Sequence, residues 1–148
     1  MTYLKFNLCY CLAASYFSGG VMIYTGSCHC GAVVYEVDAD EKLTVVDCNC
    51  SICQKSGDLH LIVPKSKFKL LQGKQNVSTY MFDSGEAKHL FCSTCGIKSY
   101  YIPRSNPDGI SVNVRCLEPQ PEKITVESFD GQNWEEHAHT LAHLSKEN

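Results

Sequence analysis

Short apolar runs alternate with turn signals along most of the chain. Residues 32–37 (AVVYEV) and 43–46 are β-branched or aromatic, and residues 59–63 form a further run that ends at Pro64. Residues 68–71 stop at Gly73, while residues 77–82 (VSTYMF) mix polar and apolar side chains as a half-buried strand does. Residues 97–102 are stopped by Pro103, and the RSNPDG that follows at 104–109 is dense in turn formers. Residues 110–114 and 124–129 predict two more strands. Only residues 134–145 read as a helix, with Glu near the start and His towards the end, as the helix dipole favours. No repeat, heptad or long linker breaks the pattern. It predicts one mainly β domain with a short C-terminal helix.

Composition agrees and narrows the picture. The 148 residues suit one domain, and the hydrophobic share of 44% with a charged share of 20% belongs to a globular protein. Thirteen Lys+Arg against sixteen Asp+Glu leave a net charge of -3, so no broad basic footprint for nucleic acid exists. The segment 1–21 carries an apolar, small-residue stretch after Lys5 that superficially resembles a secretory signal, but it is too short and polar to span a bilayer. It reads as a leader or flexible N-terminal segment, with the domain proper over 22–148. A cytoplasmic location, with the nucleus as a second compartment, is expected over secretion, because the cysteines below follow a zinc-thiolate pattern.

Ten residues are Cys, about 7% of a chain long enough to fold without covalent staples. Seven fall into three groups: Cys28-His29-Cys30-Gly31, Cys48-Asn49-Cys50-Ser51-Ile52-Cys53 and Cys92-Ser93-Thr94-Cys95-Gly96. A CxxCG knuckle aims two sulfurs at one ion, and a CxC in extended chain puts both side chains on one face. Such soft donors favour zinc, with iron second. A structural zinc takes four protein ligands and a catalytic one typically three, so seven suggests two Zn²⁺ per chain, one closed and one open. Cys48, Cys50 and Cys53 lie within six residues and can wrap one ion, while Cys28, Cys30, Cys92 and Cys95 can meet to close the other. Two alternatives stay open: disulfides among the pairs, and a triplet completed by Cys116, His60 or His89. Cys116 by itself reads as a small core residue.

Taken together, GSCHCGAVVYEV (26–37), CNCSICQKSG (48–57) and HLFCSTCGIKSYY (89–101) resemble the glutathione-dependent formaldehyde-activating enzyme family. Within it, LIVPKSKFKLLQG (61–73), YIPRSNPDGISV (101–112) and FDGQNWEE (129–136) resemble the centromere protein V branch. The resemblance implies an Mss4-like, zinc-stapled β-sheet fold, a structural ion on Cys28, Cys30, Cys92 and Cys95, and a catalytic ion on Cys48, Cys50 and Cys53. It also implies a carbon-sulfur lyase whose namesake reaction joins glutathione and formaldehyde as S-hydroxymethylglutathione. The alternative is a non-catalytic zinc module engaging a protein, cytoskeletal or chromatin partner. The absence of a long basic or Pro-rich N-terminal extension, a feature of the centromeric protein, weighs against that alternative.

For an anionic thiol such as glutathione, Lys55 and Arg104 are the candidate carboxylate contacts, and His60 or His89 the candidate proton carrier. Phe91, Tyr100 and Tyr101 read as core or sheet-face aromatics, and His139 and His143, four apart, as surface residues. Seven thiolates on two zinc ions would take the net charge to about -6, so neither membrane nor direct nucleic-acid binding is expected.

Overall fold

The computed structural model describes residues 16–17 and 20–147; the rest of the expected leader, with Cys9 and Cys11, lies outside the described residues. A first sheet is built on β2 (Val21–Ser27) and β3 (Val34–Asp40), antiparallel from Val21 opposite Asp40 to Ser27 opposite Val34. Both strands alternate strictly, turning Met22 and Tyr24 from one and Tyr35, Val37 and Ala39 from the other into the core. β6 (Phe68–Gln72) pairs with the far side of β3. The free edge of β2 is covered by two short strands, β1 (Tyr16–Phe17) and β11 (Leu117–Glu118). β2 lies almost wholly inside the domain assigned from the sequence, yet it was not among the predicted strands.

The second sheet runs β12 (Lys123–Phe129), β4 (Lys42–Cys48), β5 (His60–Pro64), β10 (Gly109–Asn113) and β9 (Tyr100–Tyr101). β5 is central and buried at every position, as its unbroken apolar run requires. β12 is an exposed edge strand, parallel to β4 and in register from Lys123 opposite Lys42 to Phe129 opposite Cys48. Because parallel strands finish on the same side, the loop after β12 is delivered beside the loop after β4. Residues of both sheets form one core, in which Tyr35 packs against Phe68 and Tyr100 at ring-centroid distances of 5.1 and 5.5 Å. The buried Tyr35 hydroxyl donates to the Ser99 carbonyl at 2.9 Å, so this aromatic is held without an unpaired polar group.

A two-stranded hairpin, β7 (Val77–Tyr80) and β8 (His89–Cys92), completes the β structure, with Met81 and Phe82 exposed on its loop. Two helices frame the second sheet. α1 (Ser51–Ser56) was not expected; it is too short to display a helical period, and it ends where Gly57 takes a left-handed conformation. The C-terminal helix begins at the expected residue, but only α2 (Trp134–His137) is α-helical, and Ala138–Ser145 continues as 3-10 helix. Tertiary contacts account for the change. The Leu141 carbonyl, which an α-helix would offer to residue 145, accepts instead from the Asn106 side chain at 2.9 Å.

Candidate metal centres and cavity

The four-cysteine group joins two distant turns. Cys28 follows β2 directly, and Cys92 ends β8. Around Cys92 and Cys95 the chain closes a knuckle, Gly96 N-H donating to the Cys92 carbonyl at 2.8 Å, with Gly96 at φ 76°, a value that L side chains rarely adopt. The sulfurs of Cys28 and Cys30 lie 3.6 Å apart, and those of Cys30 and Cys92 3.7 Å apart. A tetrahedral zinc with bonds of about 2.3 Å requires sulfur-sulfur edges of about 3.8 Å, so the donor set fits the ion. Backbone amides of Val33 and Thr94 donate to the Cys28 and Cys92 sulfurs at 3.3 and 3.4 Å. All the cysteines described are free thiols, so the disulfide alternative does not describe this structure.

The three-cysteine group comes from one connection. Cys48 closes β4, Cys50 caps α1 and Cys53 is buried in its first turn. Their sulfurs lie within 4.8 Å of one another, and among the described residues no fourth His, Cys, Asp or Glu joins them at that distance. Three soft donors facing one point with a corner free are the set expected of an open zinc site. Cys50 is pushed down to about 2 because Cys48 and then Cys53 donate hydrogen bonds to its thiolate, while Cys53 is pushed up by its neighbours Cys48 and Cys50.

The loop after β12 locks this connection in place. Asn49 donates to Asp130 at 3.1 Å and accepts from the Gln132 amide at 2.9 Å, and Asn133 donates to Asp130 at 2.7 Å. Gly131 sits so close that a Cβ there would stand 2.4 Å from the Cys48 sulfur and 2.9 Å from the Cys50 Cβ. FDGQN is therefore a clamp on the cysteine loop, and its glycine is required by the sulfur it touches.

His60, at the start of β5, links the triplet to the sheet. Its Nε2 lies 3.2 Å from the Cys53 sulfur and its Nδ1 3.2 Å from the Ser111 hydroxyl. With Cys53 as thiolate, Nε2-H donates to sulfur and Nδ1 accepts from Ser111. Burial pushes its pKa down to about 4, so the ring is neutral at neutral pH. His89 is also buried, its pKa lowered by desolvation, and its ring stacks between Phe82 and Tyr101 at 5.4 and 5.2 Å. Behind Tyr101, Lys98 and Asp58 form a buried ion pair at 2.5 Å, with Asn113 donating to the same carboxylate at 3.1 Å.

All three triplet cysteines, His60, His89 and Tyr101 line one cavity of about 480 Å³. That volume is in the range of small-molecule sites. Of the two predicted carboxylate contacts, Arg104 lines the cavity and Lys55 does not: Lys55 is exposed on α1 and absent from the wall. Arg104 is itself engaged, by Glu86 at 2.6 Å and Glu135 at 2.9 Å, and its guanidinium lies 3.9 Å over the Trp134 ring. Tyr101, expected as a core or sheet-face aromatic, is a wall residue, and Trp134 and Phe82 join it there. A period-two pattern reports which side of a strand faces inward and does not tell a packed core from the wall of a cavity. Cys116 belongs to neither sulfur group, and burial pushes its thiol up to about 11. His139 and His143 are exposed and join no metal-binding group among the described residues.

Comparison with known proteins agrees with this geometry. A crystal structure of a Rhodobacter sphaeroides protein, a structural genomics target, aligns with a TM-score of 0.62 and 34% identity over 70% of this chain and 99% of the other. The profile described as "Glutathione-dependent formaldehyde-activating enzyme" matches residues 23–130, a span that contains every cysteine of both groups. With both sulfur groups assembled and most of the chain matched, this protein belongs to the glutathione-dependent formaldehyde-activating enzyme family.

Proposed function

We propose that the chain is a zinc-dependent enzyme of the carbon-sulfur lyase class that acts on glutathione or a related thiol adduct. The observation that carries this reading is the cysteine triplet, open at one corner, on the wall of a 480 Å³ cavity. A zinc ion held by Cys48, Cys50 and Cys53 supplies a soft cation that favours a substrate sulfur as thiolate, the nucleophilic form. Three thiolate donors make such an ion a weak Lewis acid, so holding sulfur suits it better than activating water. In the addition, a C-S bond forms between the thiol sulfur and the carbonyl carbon, and the thiol proton ends on the carbonyl oxygen; the reverse reaction breaks that bond. His60 and His89, neutral and on the cavity wall, are the residues suited to carry the proton.

The second reading is a non-catalytic module of the centromere protein V type. It is favoured by the exposed edge strand β12, which presents Ile124 and Val126 outward and, among the described residues, leaves an unpaired backbone edge. Zinc stoichiometry followed by glutathione titration calorimetry separates the two. Two zinc ions per chain with saturable thiol binding is the expected result. One zinc, or two without thiol binding, overturns the enzyme reading.

A further inference from the structure

A one-carbon carbonyl and the thiol sulfur it adds to would fill only part of the cavity. A one-carbon carbonyl occupies little more than one or two waters, at about 30 Å³ each, against about 480 Å³ here. The surplus space is apolar. Phe82, His89 and Tyr101 form a near-parallel stack along one wall, with interplanar angles of 23° and 11°. Ile62, Phe129 and Leu141 add to the lining, and Trp134 contributes a ring whose one face is covered by Arg104.

The charges around this space disfavour an anionic occupant. Among the described residues, Arg104 is the sole Lys or Arg on the wall, and two carboxylates already engage it. Asp83 and Glu135 are wall residues as well, and a thiolate-rich metal site adds no positive charge. The carboxylates of a glutathione moiety therefore belong in solvent, and the interior is left to an uncharged group. Phe82 has 40% of its surface exposed although it lines the cavity, so a ring stacked on it would remove apolar area from water.

Resting on the thiol-adduct reading above, we propose that the carbonyl-derived half of the adduct handled at this site is an uncharged apolar group of ring size, such as comes from an aromatic aldehyde. It lies against Phe82, Tyr101 and Trp134, with the adduct sulfur at Cys48, Cys50 and Cys53. The aldehyde carbon and the thiol sulfur are joined and parted as in the one-carbon case, with the proton moving between sulfur and oxygen and no redox change.

The test uses the full chain loaded with zinc and two unreactive probes that share one thiol scaffold, S-benzylglutathione and S-methylglutathione, with glutathione as the reference. Affinities are read by calorimetry and by the emission of Trp134, the one Trp in the chain. The benzyl probe should bind at least about tenfold tighter than the methyl probe, a gain that roughly 55 Å² of buried apolar surface supplies. It should also shift Trp134 emission where the methyl probe does not. Phe82→Ala, with zinc content and circular dichroism unchanged, should bring the two probes within about threefold of each other. Equal affinities for the two probes beside normal glutathione binding overturn this proposal and leave the thiol reading standing. A benzyl preference that survives Phe82→Ala intact overturns the placement against Phe82. Failure of glutathione and both probes to bind overturns the thiol reading and this proposal with it.

Discussion

The two sulfur groups use the same chemistry to opposite ends. The four-cysteine group draws its sulfurs from turns 62 residues apart in sequence, as Cys30 and Cys92 illustrate, and it offers the four donors that a tetrahedral ion takes. The three-cysteine group draws its ligands from one six-residue loop, leaves a corner free and faces a cavity. An ion bridging distant segments would restrict the unfolded chain most, so the first group is the one expected to staple the fold. An ion on a local loop would add little cross-linking and would be available for chemistry. The number of ligands matters less than where along the chain they come from.

The strongest test is to break each group separately. Cys92→Ser should unfold the domain, since structural zinc contributes apparent free energies of about 10–16 kcal/mol, comparable with or above the typical stability of about 5–15 kcal/mol of a whole domain. Circular dichroism and zinc content should both collapse. Cys50→Ser should keep the folded spectrum, lose one zinc equivalent and lose thiol binding by calorimetry. If the two variants behave alike, the division into staple and open site is wrong.

A smaller effect comes from the imidazole on the open site. His60 is held neutral down to about pH 4 in the fold, whereas an unfolded histidine takes its proton near the ordinary value of 6.5. The unfolded chain therefore binds more protons in that window, and stability present above pH 6.5 is lost as pH falls towards 4, by at most ~3 kcal/mol. Urea titrations across this range on wild type and His60→Asn should show a shallower slope in the variant.

Gly131→Ala probes the clamp. With its Cβ 2.4 Å from the Cys48 sulfur, the cysteine loop must shift; the overpacking cost is about 1–3 kcal/mol. Competition with a chromophoric chelator should show the weaker zinc lost more readily and the four-cysteine zinc unaffected. The smallest change is expected at Arg104. Its partners Glu86 and Glu135 are exposed, and such ion pairs contribute about 0–1 kcal/mol each. Arg104→Gln should lower thermal stability only slightly, and glutathione affinity by less than about threefold. A larger drop in affinity would restore Arg104 as a carboxylate contact.

Much of this molecule can be read from residue order. The CxC, CxCxxC and CxxCG spacings already divide the sulfurs into four and three, because ligand spacing is a local property. Strand positions such as 43–46 and 124–129 follow from apolar runs for the same reason. Other features escape that reading for identifiable reasons. Val21–Ser27 alternates cleanly, but the adjoining apolar leader obscures it. Ser51–Ser56 is too short to show a period, and the 3-10 form of Ala138–Ser145 depends on the Asn106 amide, which is distant in sequence.

The sequence by itself determined the β-rich class, the family and the three local cysteine motifs, since each is written in short-range spacing and pattern. The tertiary structure alone decided that the triplet faces a cavity, that His60 touches Cys53, and that Gly131 packs on Cys48. It also decided that Tyr101, Phe82 and Trp134 line that cavity, and that Arg104 is already paired while Lys55 is turned away. These are contacts between segments tens of residues apart, set by the parallel register of β12 on β4 and by the packing of the two sheets. Local sequence carries no record of such distances, because only the folded chain brings those side chains together.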